Sequence, residues 1–216
     1  MTAEKILELI TPKFEGDVTG HDIYHIQRVL NMSRELQKKE GGDLRLIEYA
    51  AVLHDLDDHK FNGGKLNSGG ETAMHFLLEQ GIDRTTSIAV KEIVDQISFK
   101  GAHTNVRSLN DNIETQIVQD ADRLDALGAI GIARTFAYGG FKGQQMYLPE
   151  FEPHLHQSFE EYAKSKTTSI NHFHEKLLLL KDRLNTNSAK QIALERHRFM
   201  EEFLDRFYAE WEVKLN

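Results

Sequence analysis

The chain has 216 residues, 40% of them apolar and 28% charged, with a net charge of -8 at neutral pH. That length supports one sizeable core, and the acidic balance speaks against a general nucleic-acid-binding surface. The absence of cysteine excludes disulfides, zinc fingers, iron–sulfur clusters and thiol catalysis, and no run approaches the roughly 18 apolar residues that a membrane span needs.

Residues 2–13 predict a first helix with Ile6, Leu7, Leu9 and Ile10 on its apolar side. Glu4, Lys5 and Glu8 interrupt what would be the apolar core of a signal peptide, so a cytoplasmic protein is expected. After a break at Phe14-Glu-Gly-Asp, a second helix opens near Gly20-His21-Asp22. Its stripe His25, Val29, Met32, Leu36 is spaced by four, three and four, which turns His25 inward. Gly41-Gly42 ends that helix and Asp43 caps the next, which runs from about Leu44 to Asp58 with Ile47, Ala50, Ala51 and His54 facing inward. The glycine-rich stretch 61–70 lacks the phosphate-loop pattern. Helices follow at about 70–80 and 84–97, then a loop at 98–103. Asp111 with Glu114 reads as a capping box for a helix from Ile113 to about Tyr138, stopped by Gly139-Gly140. A loop at 141–157 holds Pro149 and Pro153, and two long helices at about 158–184 and 188–213 finish the chain. With three prolines and no sustained alternation of period two, the chain reads as all-α.

The stretch Leu53-His54-Asp55-Leu56-Asp57-Asp58-His59 organises the rest. A His and an Asp at the end of a buried stripe are costly unless something pairs with them. His25 comes from another buried stripe, and a third helix offers an Asp near 120. Two imidazoles and two carboxylates suit Mn²⁺, Fe²⁺, Co²⁺, Ni²⁺ or Zn²⁺ better than Ca²⁺. On a helix Asp120 and Asp122 point about 200° apart, so they cannot readily share one small site, whereas Asp122 and Asp125 lie on one face with Val118. Asp58 follows His54 by four and Asp55 by three, so one helical face can carry all three. Arg28 lies one turn beyond His25 and suits a phosphate oxygen. Lys65 and Lys100 fall in loops that can reach the same pocket.

His25-x-x-Arg28-Val29, His54-Asp55 and Ala121-Asp122-x-Leu124, in that order, resemble the HD-domain superfamily of metal-dependent phosphohydrolases. The stretches VQDADRLDALGAIGIAR and NHFHEKLLLLKDRLNT and the closing AEW resemble the small bacterial HD hydrolases that include nucleotide pyrophosphohydrolases. The likeness covers nearly the whole chain. It implies a single all-α HD-type bundle over residues 1–216 around a metal site, with the helices of about 158–213 packing as part of it. It implies one divalent transition metal ion (Mn, Fe, Co, Ni or Zn) as cofactor. It maps the fourth ligand onto Asp122, giving His25, His54, Asp55 and Asp122, with Asp120 as the alternative. It places at position 58 a residue that activates or positions water. Many relatives carry Glu there, and the shorter Asp58 must approach more closely or act through a water. The implied substrate is a phosphorylated small molecule, foremost a nucleoside or deoxynucleoside triphosphate split to monophosphate and pyrophosphate, with Arg28, Lys65 and Lys100 as substrate-binding residues. A nucleotidase or phosphodiesterase shares the ligand set, and a metal- or nucleotide-binding regulator without turnover is the alternative outside enzymes.

Each residue also has an ordinary reading. His54-Asp55 can be a hydrogen-bonded helix end, His25 a satisfied core histidine, and the Asp120–Asp125 cluster a salt-bridged face. Asp58 can be a solvated helix end. Arg28 can pair with Asp22 or Glu48, and Lys65 and Lys100 can be surface lysines. His21, His59 and His103 are candidates for groups that support the ligands or face the phosphates. The two histidines of HFHEK at 172–176 sit two apart, which a helix separates by about 200°, so they make a poor metal site.

Overall fold

The structure is a computed structural model and describes residues 1–56, 69–97, 112–154 and 167–213. Among the described residues all regular structure is helical, as the sequence predicts. The chain divides into two compact units: Met1–Asp17, His21–Phe99 and Val106–Asp122 form the first, and Val18–Gly20, Lys100–Asn105 and Arg123–Asn216 the second.

In the first unit, α1 (Ala3–Ile10) starts at Thr2, whose hydroxyl accepts the Lys5 N–H. It is shorter than predicted because Pro12 lies in a 3-10 turn, Thr11–Phe14, that takes over after Ile10. Its inward residues are Ala3, Ile6 and Ile10, and Leu9 is exposed, contrary to the expected apolar side. Helix α2 (Ile23–Glu40) is capped by Asp22, which accepts the His25 N–H at 2.9 Å. Of the predicted stripe, His25, Val29 and Leu36 are buried and Met32 is half-buried. Gly41 and Gly42, both at positive φ, end it.

Helix α3 (Leu44–Leu53) is capped by Asp43, which accepts from the N–H groups of Arg45 and Leu46. It stops five residues before the predicted end at Asp58. The cause is local: His54 Nδ1 donates to the Ala51 carbonyl at 2.8 Å, the oxygen that an Asp55 N–H would use in a continuing helix. Leu56 N–H instead bonds Leu53 O in the tighter i to i+3 pattern.

Helices α4 (Gly69–Glu79) and α5 (Arg84–Ile97) pack on one another, and α3 packs on α1, α2 and α5. At the start of α4, Gly70 N–H reaches Asp95 Oδ1 on α5, and a Cβ at Gly70 would stand 2.5 Å from that oxygen. Helix α6 (Ile113–Asp125) is capped by Asn112, which accepts the Thr115 N–H. The predicted box does not form as drawn, because Glu114 Oε1 accepts the Asp43 N–H instead; Asp111 lies outside the described residues.

The predicted single helix from Ile113 to Tyr138 is two helices, α6 and α7 (Gly128–Phe141). Leu127 is extended and Gly128 has φ +73°, so the backbone turns there. Gly139-Gly140 does not stop α7. Gly139 is a packing glycine, since a Cβ on it would stand 2.2 Å from Ser169 Oγ.

In the second unit, the long helix predicted at 158–184 is replaced over its described part by α8 (Ser169–Glu175) and a 3-10 turn, Leu177–Arg183. Three residues per turn bring Leu177 and Leu180 to the same buried side. The last helix, α9 (Asn187–Trp211), is capped by Thr186 and packs on α7 and on that turn. No helix among the described residues is long and apolar enough to cross a membrane.

Candidate metal centre

His25 reaches the centre from the buried face of α2 and is 0% exposed. His54 and Asp55 stand in the turn just past α3, and Asp122 is on α6. Among the described residues, His25, His54 and Asp122 each offer a ligand atom within 4.8 Å of the others. Asp55 Oδ2 lies 3.4 Å from His25 Nε2 and 3.5 Å from His54 Nε2. Asp122 Oδ1 lies 3.6 Å and 3.9 Å from the same two nitrogens.

The tautomer of His54 follows from its hydrogen bond. A carbonyl only accepts, so Nδ1 carries the proton toward Ala51 O, and in the neutral ring Nε2 presents its lone pair. That nitrogen is buried and makes no hydrogen bond, while facing two carboxylates. A buried polar atom in this state is costly. A divalent cation among two imidazole lone pairs and two carboxylates removes the cost and balances the charge, so the residues fit a metal ion.

Asp120, the alternative fourth ligand, is 0% exposed and, like Asp55, stands outside the His25, His54 and Asp122 group; Asp55 is tied to the centre by its distances to the two histidines. The residue two positions past Asp120, Asp122, has a side chain 34% exposed. Asp125 is committed elsewhere, with Oδ2 2.8 Å from Arg134 Nη1. Arg28 is half-buried on α2. Glu48, one of the two carboxylates considered for it, pairs with Arg34 at 2.7 Å. Arg34 also binds Glu4 at 2.6 Å. Burial lowers the Arg34 pKa, but its bonds to Glu4 and Glu48 outweigh this and hold it above its ordinary value. Asp58, Lys65, Lys100, His59 and His103 lie outside the described residues. In HFHEK, His174 Nε2 is 3.0 Å from the Tyr208 hydroxyl, a structural contact.

Two partners escaped the sequence reading. One is the Ala51 carbonyl, which no side-chain pattern announces. The other is Asp17, whose Oδ1 accepts the His21 N–H at 3.1 Å; an Asp in a break before a helix was the available signal.

The HD domain family matches residues 22–127, which include all four of these side chains. YpgQ of Bacillus subtilis is 35% identical over 202 residues, covering 94% of this chain and 90% of YpgQ. The crystal structure of YpgQ in complex with ADP superposes with a TM-score of 0.75 over 97% of each chain, at 32% identity. An HD-superfamily hydrolase from Bacillus thuringiensis is 42% identical, with a TM-score of 0.73 over 98% of this chain and 97% of that one. A Lactobacillus plantarum protein is 37% identical, with a TM-score of 0.84 over the same shares. The HD-domain match and the likeness to an HD-superfamily hydrolase, with a His and Asp cluster that could hold a metal ion, place the chain in the class of HD-type metal-dependent hydrolases. The chain belongs to the HD-domain superfamily of hydrolases.

Proposed function

We propose that the chain hydrolyses nucleoside or deoxynucleoside triphosphates to the monophosphate and pyrophosphate. The observation that carries this reading is the convergence of His25, His54, Asp55 and Asp122 in a chain that aligns over 94% of its length with YpgQ. The ADP in the YpgQ crystal structure supports a nucleotide as the substrate class. The reading takes residues 1–216 as one functional domain.

A divalent transition metal on those four residues, when bound, polarises a phosphoryl oxygen and lowers the pKa of water. His54 holds its lone pair in place through the Ala51 carbonyl, and His25 is fixed by burial and by the cap of α2. Arg28 is permanently charged and can give a phosphate two parallel hydrogen bonds. Lys65 is assigned to the outer phosphates, where charge gathers as pyrophosphate leaves. Asp58 accepts a proton from the attacking water.

The test is to mix the Mn²⁺-supplemented protein with each triphosphate and resolve the products by ion-exchange chromatography. Equal amounts of monophosphate and pyrophosphate, with no diphosphate intermediate, are expected. Stepwise diphosphate formation, or activity on monophosphates or diesters alone, would refute the pyrophosphohydrolase reading in favour of a nucleotidase or phosphodiesterase. No turnover with retained metal would favour a binding protein.

A further inference from the structure

Asp122 stands on the last turn of α6, which ends at Asp125. Just past it the N–H groups of Ala126 and Leu127 bond the carbonyls of Arg123 and Leu124 in the i to i+3 pattern, and Gly128 turns the chain at φ +73°. A helix end of this kind frays unless its last carbonyls find other partners. The Asp122 side chain is also the most exposed of the four around the centre, at 34% against 20% for Asp55 and 1–2% for the histidines. Its position therefore depends more on the backbone beneath it than on packing around its carboxylate.

The three residues that follow Asp122 are each tied by an arginine. Arg123 Nη1 donates to the Arg183 carbonyl, Arg196 Nη1 donates to the Leu124 carbonyl, and Arg134 Nη1 lies 2.8 Å from Asp125 Oδ2. Of the three, Arg196 alone comes from another helix and grips the backbone of α6. Its stem lies along the turn, since a Cβ at Gly128 would stand 3.1 Å from Arg196 Cγ. Burial lowers the Arg196 pKa and the charge of Asp125 offsets this only in part. A cation at the C-terminal end of a helix is favoured by the helix dipole and satisfies a carbonyl there.

We infer that Arg196 is a positioning residue for the metal ligand Asp122: by holding the Leu124 carbonyl it fixes the last turn of α6, and with it the place of the Asp122 carboxylate. The inference rests on the metal centre of the function proposed above and not on the identity of the substrate. Groups that orient a metal ligand typically change metal affinity about 10–100-fold when removed.

The test compares the wild-type chain with Arg196→Met, Arg196→Lys and Leu204→Ala. Met keeps an unbranched stem and drops the donor, whereas Lys keeps a charged donor. Leu204 is 4% exposed on the same helix, two turns on, so truncating it lowers stability while leaving Arg196 in place. Each protein is titrated with Mn²⁺ at a temperature where circular dichroism shows it folded, free Mn²⁺ is counted from its electron paramagnetic resonance signal, and thermal midpoints are recorded. The Kd for Mn²⁺ should rise about tenfold or more in Arg196→Met. Arg196→Lys should recover most of that loss. Leu204→Ala should keep wild-type affinity in spite of a lower midpoint. If Arg196→Met does not fold, Arg196→Gln replaces it with the same expectation, because its amide nitrogen ends two bonds short of the place of Nη1.

Wild-type affinity in the variant without the donor would overturn the inference and leave the metal centre standing. So would an equal loss in Leu204→Ala, which would make the effect one of general stability, or an Arg196→Lys variant no better than Arg196→Met or its Gln replacement. A folded wild-type chain that binds no Mn²⁺ would overturn the proposed centre itself, and this inference with it.

Discussion

His54 Nδ1 and the Ala51 carbonyl, 2.8 Å apart, form a bond that both ends α3 and aims Nε2 at Asp55 and Asp122. Helix termination and ligand orientation are thus one event. The purified protein should hold about one transition metal ion per chain. His54→Ala or Asp55→Ala should remove most of it, because loss of one ligand also releases the orientation of the others. Elemental analysis is the measurement, and full retention in both variants would refute the site.

Asp122 and Asp120 separate cleanly in their surroundings. Asp122→Ala should lose metal and activity with little change in stability, since its side chain is 34% exposed. Asp120→Ala should keep the metal and lower stability by about 1–3 kcal/mol, because its side chain is fully buried. Metal content and urea unfolding of the same two preparations decide the matter.

Asp58 is proposed as the proton acceptor. Asp58→Asn should keep the metal while turnover falls by roughly 10²–10⁴, the usual effect of losing a general base. Wild-type turnover would make Asp58 a solvated residue.

Arg134 and Asp125 form a pair whose side chains are 14% and 6% exposed. Removing one member strands the other, so Asp125→Ala should destabilise the protein by about 3–5 kcal/mol. Replacing both residues with apolar ones should recover part of this in denaturant titrations. An unchanged midpoint in the single variant would show that the pair contributes nothing.

Burial pushes the His174 pKa below its ordinary 6.5, and the charge of Glu175 offsets this only in part. As pH falls through 6.5 the unfolded chain takes up this proton before the folded one. The contribution of His174 is therefore a loss of stability that begins below 6.5 and is complete below the folded pKa. His174→Gln should lose less stability than wild type between urea titrations run above and below that pH. Equal losses would assign the acid sensitivity to other groups.

Part of the candidate centre was legible because His25 and Asp122 lie on helices where short-range periodicity operates, whereas His54 and Asp55 stand in the turn just past α3. The spacing from His25 through Val29 to Leu36 marks a buried face, and Asp43 marks a helix start. The choice of Asp122 over Asp120 needed the family resemblance as well as helical geometry. The misread segments are those governed by the backbone and by distant packing. The chain from Ile113 to Tyr138 keeps helical periodicity across its break, and only the pair Gly128 and Gly131 signals the turn. A Cβ at Gly131 would stand 2.2 Å from the Ala126 carbonyl, which a glycine alone permits. Gly139 looks like a terminator until Ser169, thirty residues on, shows why it must be small. The end of α3 depends on a side chain capturing a backbone oxygen, which no hydrophobic pattern encodes.

The single tryptophan, Trp211, stacks on Phe207 at 5.9 Å and meets the Tyr147 ring edge-on at 5.2 Å. All three rings belong to the second compact unit, while the histidines and carboxylates of the metal centre belong to the first. Tryptophan emission is therefore a private optical channel for the C-terminal unit, and the metal-bearing unit is dark in it. If melting followed by emission coincides with melting followed by far-ultraviolet circular dichroism, the two units unfold together. If the curves part, the emission trace belongs to the C-terminal unit and the remainder of the dichroism signal to its neighbour, so two stabilities can be read from one unlabelled chain.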